Sequence, residues 1–297
     1  MSEKKIKILK PFSDSYTLYI ESLTKAISLD SYSKVRIRWN FAVLEIQDDG
    51  IICNLIKTEQ TLIETNNPIV QEIQQVSAVF GRMYSDVKVK LNHEGKVLEV
   101  LNMNTILSKW NDTKAEMKKH IDGNPDLENS ISLNDEIFND PEKIKIAVQA
   151  QEFFTIYFSH FFGEKIPIIN RVITAPNLFS TAYLQWVYNI DGGIRKDNQT
   201  NVIIKTKGKN KGSSLGFNNK AYAQFKEHLN IANIMPDISE EAEHVYRLEN
   251  GKLERAHIIK KELVEEDKLT IRFDYTMTAD SCSFKEEKST FMISENS

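Results

Sequence analysis

The chain of 297 residues carries 38 basic and 42 acidic side chains, a formal net charge of −4, and is 41% hydrophobic. A chain of this length buries about three quarters of its unfolded surface, so it needs no metal or disulfide to fold. The composition excludes wholesale disorder, and the near-neutral charge argues against a protein whose main task is holding nucleic acid.

The cysteines and the N-terminus bear on the cellular compartment. Cys53 and Cys282 belong to no C-x-x-C motif, which predicts two free thiols, with a single long-range disulfide as the alternative. No apolar run approaches the roughly 18 residues of a membrane-spanning helix, and no signal-peptide pattern follows Met1. If Met1 is the natural start, we expect a soluble, cytoplasmic protein with no membrane span.

The first part of the chain is predicted to be β-rich. Apolar residues alternate with polar ones from Val35 to Val43, which is typical of a half-buried strand. Asp48-Asp49-Gly50 then predicts a turn into a second strand at Ile51–Ile63. The elements predicted next are a helix at Ile69–Met83, strands at Val87–Leu91 and Val97–Leu101, and a helix at Asn102–His120.

The middle of the chain combines turn signals with an apolar helix. Residues 121–140 are polar and rich in Asn, Asp and Pro, which predicts a linker. Asp140 and Pro141 suit the N-terminus of a helix that we expect to run to Gly163. Apolar residues cover most of its circumference, so an interior position is expected.

The last part returns to strands, with a short helix at Asn219–Leu229. Asn250-Gly251 predicts a tight hairpin in which both residues have positive φ. The predicted strands are Tyr183–Asn189, Val202–Lys205, Ala242–Leu248, Leu253–Leu263, Leu269–Met277 and Thr290–Ile293.

Helices between antiparallel hairpins predict an α+β fold. We divide it into an N-terminal β-rich half (residues 1–120), the linker (121–140), and a helix with a C-terminal β-rich half (141–297). One continuous domain is the alternative.

Two segments carry a family resemblance. Tyr84-Ser-Asp-Val-Lys-Val-Lys-Leu-Asn-His-Glu-Gly-Lys-Val-Leu-Glu-Val and Glu243-His-Val-Tyr-Arg-Leu-Glu-Asn-Gly-Lys-Leu-Glu-Arg-Ala-His resemble the half-barrel "clam" folds of bacterial lipoprotein carriers and their uncharacterised relatives. The resemblance implies a curved antiparallel sheet whose apolar face is partly filled by helices. It assigns no functional residue.

Four lysines form the first candidate binding site: Lys205, Lys207, Lys209 and Lys211, with no acid near them in sequence. Such a cluster can hold an acidic partner, although a solvated hairpin tip is the commoner explanation. No aromatic residue lies between Val202 and Leu215 to stack on bases, so we expect a protein partner and no nucleic acid.

The second candidate is the aromatic face of Phe153, Tyr157 and Phe161. These rings could line a pocket for an apolar ligand, or they could fill a plain core. We expect the filled core, with no large enclosed cavity beside the three residues.

Catalytic and metal motifs are weak. Ser214 occupies the serine of a G-x-S-x-G pattern, but a charged stretch precedes it where a nucleophile elbow needs a strand, so we expect a flexible loop. His244 and His257 could meet across adjacent strands but lack a third ligand, so no metal is expected. We expect His160 to be a hydrogen-bonded core residue. Two clusters of acids are expected to be hydrated: Glu240, Glu241 and Glu243, and Glu262, Glu265, Glu266 and Asp267.

These patterns favour a non-catalytic binding or assembly component that needs no cofactor. One alternative is a carrier of an apolar small molecule in a half-barrel cavity, and another is a serine hydrolase acting through Ser214 with Asp237 and His244 or His257. The sequence sets neither the partner nor the oligomeric state.

Overall fold

A computed structural model describes residues 5–119, 125–165, 168, 170–194, 200–212 and 214–282. The predicted strand Thr290–Ile293 lies outside these residues. The strands are β1 (Phe12–Ala26), β2 (Leu29–Gln47), β3 (Gly50–Thr65), β4 (Asp86–Leu91), β5 (Val97–Val100), β6 (Arg171–Pro176), β7 (Tyr183–Ile194), β8 (Asn201–Asn210), β9 (Asp237–Arg247), β10 (Leu253–Glu265) and β11 (Leu269–Ala279). The helices are α1 (Pro68–Gly81), α2 (Met103–Lys118), α3 (Pro125–Phe138), α4 (Pro141–Gln149), α5 (Glu152–Tyr157) and α6 (Leu215–Ala221).

The eleven strands of the described residues belong to one antiparallel sheet, in the order β5-β4-β3-β2-β1-β11-β10-β9-β8-β7-β6. The first and last strands pair at its centre, where Tyr16 lies opposite Ala279 and Ala26 opposite Leu269. The predicted α+β class with an antiparallel sheet is therefore confirmed. Over the described residues the sheet is open, with β5 and β6 at its edges, so the half-barrel stays a prediction.

One face of the sheet, which we call the inner face, packs against the helices. On β2 the inner positions are the alternating apolar residues from Val35 to Val43, each at most 5% exposed. The predicted alternation is thus the cause of the burial. The sequence pattern does not predict strand β1, because the polar residues Asp14, Ser22 and Thr24 interrupt the apolar alternation on its inner side.

Two predicted segments differ in the structure. The predicted linker is helical over α3, because Ile131 and Phe138 are buried while the turn residues only bound the helix. The predicted helix from Asp140 to Gly163 is two helices, since Gln151 has an extended backbone (φ −62°, ψ 144°). Asp140 caps α4 as predicted, accepting hydrogen bonds from the backbone of Glu142 and Lys143.

Helix α5 and the turn after it fill one end of the inner face, a region that we call the aromatic plug. The Phe153 ring packs edge-on against the Tyr16 ring, with the ring centroids 5.4 Å apart. Its centroid lies 4.8 Å from that of Phe41. The Tyr157 hydroxyl accepts a hydrogen bond from the Leu253 amide at 3.1 Å. The plug also includes the fully or nearly fully buried Phe154, Phe158, Phe161 and Phe162.

Two glycine-containing turns contact the aromatic plug at its end. Gly95 and Gly251 have φ of +80° and +71°, values that favour glycine. A Cβ on Gly95 would lie 2.3 Å from the Phe158 side chain, and the Gly251 carbonyl faces the Tyr157 hydroxyl at 3.3 Å. Asn250 does not have positive φ, so the predicted two-residue hairpin is wrong, and a longer loop joins β9 to β10.

A second layer, the α6 cap, covers the opposite end of the inner face. It contains Tyr222, Leu229 and Ile231, which pack against Leu269 near the β10–β11 turn. The Tyr222 hydroxyl donates to Glu262 on β10 at 2.8 Å. Glu262 is completely buried and also accepts from Asn177 and the Leu178 amide, so the expectation that it is hydrated is wrong.

Neither cysteine is bonded: Cys53 is a buried free thiol and Cys282 a partly exposed one. No helix among the described residues is long and apolar enough to cross a lipid bilayer.

Candidate functional site

The lysine cluster lies on a strand, not at a loop tip. Lys205, Lys207 and Lys209 are outward-facing positions of β8, and Lys211 follows its end. Lys205 faces Glu243 at 3.3 Å and Lys207 faces Glu241 at 3.4 Å, both on β9. The sequence showed no acid near these lysines because their partners come from another strand. Binding of a protein partner by this row stays a prediction.

Phe153, Tyr157 and Phe161 belong to one buried hydrophobic cluster, in which the ring centroids of Phe153 and Tyr157 are 5.5 Å apart. All three are fully buried in the aromatic plug. Their side chains pack against the inner face of the sheet and are not exposed to solvent. Their role as ligand-binding residues therefore stays a prediction.

The structure gives Ser214 a structural contact. Its hydroxyl caps α6 by accepting a hydrogen bond from the Phe217 amide at 3.1 Å. His244 and His257 lie on opposite faces of the sheet, since Ala256 pairs with His244 and Glu243 with His257. The predicted meeting of the two histidines is therefore wrong. No group of three metal-ligating side chains is present in the described part of the chain.

Within the described residues, no element covers the inner face between the aromatic plug and the α6 cap. On β11, Met277 and Leu269 are fully buried, whereas Tyr275 and Phe273 between them are partly exposed. On β10, Lys260 is 36% exposed along its side chain, between Ile258 and the fully buried Glu262. A band of open sheet between two raised covers is a groove, which we call the inner-face groove.

The floor of the groove is mainly apolar. Ile20 and Ser22 of β1 lie opposite Tyr275 and Phe273, and all four are partly exposed. The rings of Phe273 and Tyr275 have their centroids 6.0 Å apart. Two inner positions along a strand span about 7 Å, so the groove is narrow along β11.

Polar side chains border one side of the groove. Lys260 pairs with Glu240 at 3.1 Å, and Glu240 accepts a hydrogen bond from the Tyr188 hydroxyl at 3.3 Å. The Tyr188 ring lies 4.4 Å from that of His160. Gly208, opposite Glu240, leaves room for this arrangement, since a Cβ there would lie 2.5 Å from the Tyr188 ring. Glu240 is only 8% exposed, so the prediction that it is hydrated is wrong.

Beside this border lie buried polar atoms without partners. Thr206 lies opposite Ala242, one inner position from Glu240 and one from His244 on β9. Its hydroxyl, Nε2 of His160 and both ring nitrogens of His244 make no hydrogen bond with any described residue. Nδ1 of His160 lies 3.5 Å from the Ser159 hydroxyl, so only one of its two ring nitrogens lacks a partner among the described residues. We call His160, Tyr188, Thr206, Glu240 and His244 the polar corner.

Burial sets the protonation of the polar corner. It lowers the pKa of His160 to about 4 and that of His244 to about 3. The nearby Ile156 backbone opposes the lowering of the His244 pKa, although it is not in hydrogen-bonding geometry with the ring. Both imidazoles are thus neutral at pH 7. Burial, with Glu152 and Glu240 nearby, raises the pKa of Tyr275 to about 12, so its phenol is also neutral.

A separate cavity of about 340 Å³ lies among α2, α3 and α4. Its central acid, Asp135, already binds Lys114 and accepts from the Trp110 indole at 2.8 Å. Because these groups are paired with one another, the cavity offers less to a ligand than the polar corner does.

Comparison with known proteins gives only distant structural likeness. No family model and no curated protein matches the sequence. A solved structure titled "Lipid-protein interactions in lipovitellin" superposes with a TM-score of 0.43 and 8% sequence identity. The match covers 94% of this chain and 26% of the lipovitellin chain, so this chain spans about a quarter of that protein. The likeness is too distant to assign the chain to a fold family.

Proposed function

We propose that the protein binds an apolar or amphiphilic small molecule in the inner-face groove and carries it without altering it. The observation that carries the proposal is the exposure of Phe273 and Tyr275 between the fully buried Met277 and Leu269 on one face of one strand. Ligand sites in proteins are mostly apolar clefts with a few convergent polar groups. The groove combines such a floor with the polar corner at its side.

The chemistry of the border supports binding more than catalysis. Lys260 and Glu240 neutralise each other, and Ser214 caps a helix. A nucleophile needs an adjacent base within hydrogen-bond reach. The unpartnered Thr206 hydroxyl makes no such hydrogen bond with any described residue.

The test places a large side chain on the floor of the groove. Ser22→Trp places a large ring on the inner face, whereas Leu23→Trp places the same ring on the outer face one residue away. Titration with the uncharged dye Nile red should show affinity reduced about tenfold or more in the first variant and unchanged in the second. Equal affinities for both variants would mean that the dye does not use the groove.

A second pair of variants tests the groove with a charge in place of a bulky ring, and their folding is checked separately. Ile20→Glu adds a charge to the groove floor, and Tyr19→Glu adds it to the opposite face of the same strand. Thermal unfolding confirms that each variant folds. Native mass spectrometry of the purified protein should then show a bound apolar molecule that is lost in Ile20→Glu and kept in Tyr19→Glu.

A further inference from the structure

The polar corner is too well buried to be satisfied by bulk water. His244 and Thr206 are 1% and 2% exposed, yet their polar side-chain atoms lack hydrogen bonds among the described residues. Buried polar groups in proteins nearly always have a partner, and an exception calls for an explanation such as a bound molecule. Thr206 lies one inner position from Glu240, which borders the groove, and His244 lies one inner position further along.

The charges around the corner are already balanced. Lys260 is paired with Glu240, and Arg171, whose backbone-directed hydrogen bond reaches the His160 carbonyl, is paired with Glu164. The two imidazoles are neutral. An anionic head group would meet the Glu240 carboxylate without a free cation to offset it, and burying an unpaired charge is costly.

What the corner lacks is a group that both donates and accepts hydrogen bonds. A neutral imidazole offers one donor and one acceptor nitrogen, and a threonine hydroxyl can do either. We propose, on the basis of the proposed groove function, that the ligand is an uncharged amphiphile whose hydroxyl head group enters the polar corner between Thr206 and the two histidines. The Lys260 side chain, long and partly exposed, moves aside to admit it.

Two ligands of equal chain length distinguish the head groups. Dodecanol and dodecanoate compete with Nile red for the wild-type protein at neutral pH. Dodecanol should bind about tenfold more tightly, because only its head group avoids the Glu240 charge. Equal or tighter binding of dodecanoate would overturn the inference.

Two variants locate the head group. Thr206→Val removes the unpartnered hydroxyl at nearly constant volume and should weaken dodecanol several-fold while leaving Nile red unchanged. Thr278→Val, on the exposed outer face of β11, is the matched control and should change neither.

The outcomes separate the two proposals. If neither dodecanol, dodecanoate nor Nile red binds the wild-type protein, the proposed carrier function is wrong. If Nile red binds and Ser22→Trp abolishes its binding, but the two head groups compete equally, the groove stands and the hydroxyl inference is wrong.

Discussion

The aromatic plug and the inner-face groove occupy neighbouring stretches of the same strand faces but are built differently. In the plug, Phe153 and Tyr157 are fully buried, and the Tyr157 hydroxyl both accepts from Leu253 and donates to Gly251. In the groove, Phe273 and Tyr275 are partly exposed, and the Tyr275 hydroxyl has no hydrogen bond among the described residues. The same residue types therefore stabilise the fold at one end and remain available at the other.

The polar groups follow the same division. Tyr157 in the plug is hydrogen-bonded, and so is Tyr246 of β9, which packs against it and donates to the Tyr157 carbonyl at 2.7 Å. Next to the groove, His160, Thr206 and His244 keep unpartnered atoms among the described residues. Unsatisfied buried groups reduce stability, so a protein that retains them at one place does so at a cost to the fold. The comparison teaches that completeness of packing, not composition, separates core from candidate site.

The largest expected difference is between two phenylalanines. Phe153→Ala should lower the free energy of unfolding by about 3–5 kcal/mol, because a fully buried ring leaves a cavity. Phe273→Ala should cost about 1 kcal/mol, since its ring is already partly in water. Urea unfolding of both variants measures the difference, and equal costs would show that the groove is as tightly packed as the plug.

The next largest expected effect is a pH dependence of stability that comes from the two histidines of the polar corner. Burial lowers the pKa of His160 and His244, so the unfolded chain binds protons that the folded one does not. Stability is full above about pH 6.5 and should fall by about 1.4 kcal/mol per pH unit for each imidazole as the pH drops to about 5. Hydrogen bonding to Asp274 raises the pKa of the half-exposed His257, a smaller effect of opposite sign.

The control for the titration is a histidine outside the polar corner. Urea unfolding between pH 7.5 and about pH 5 should show a shallower pH dependence in His244→Gln. His228→Gln, at an exposed position, should keep the wild-type slope. A wild-type slope in His244→Gln would mean that this imidazole is not held neutral by burial.

The smallest expected difference is between two tyrosine hydroxyls. Tyr157→Phe removes the acceptor of the buried Leu253 amide and should cost about 1–3 kcal/mol. Tyr275→Phe should change stability by less than about 0.5 kcal/mol. Comparable costs in chemical unfolding would reveal a partner for the Tyr275 hydroxyl.

The sequence predicts what depends on local pattern. Alternation at Val35–Val43 and the Asp140 cap identified β2 and the start of α4, because each signal lies within a few residues. The groove could not be predicted in this way. Its floor joins β1 to β10 and β11, which are more than 200 positions away, and nothing local marks Ile20 or Tyr275 as uncovered.

Charged residues show the same limit. A run of adjacent acids such as Glu240, Glu241 and Glu243 suggests a hydrated segment, but the strand sends Glu240 inward and the other two outward. The alternation of apolar Ile238, Ala242 and Tyr246 with polar residues on β9 was the available signal. It would have placed Glu240 and His244 on the inner face.

The pairing of β1 with β11 has a consequence for biosynthesis. The central ladder of the sheet joins Phe12–Ala26 to Leu269–Ala279, so β1 lacks one neighbour until almost the whole described chain has left the ribosome. A strand of 15 residues with one unpaired edge is a template for pairing with other chains. The final edges, β5 and β6, are by contrast only 4 and 6 residues long. Aggregation should therefore threaten the nascent chain far more than the finished protein, and slow formation of these distant contacts prolongs that exposure.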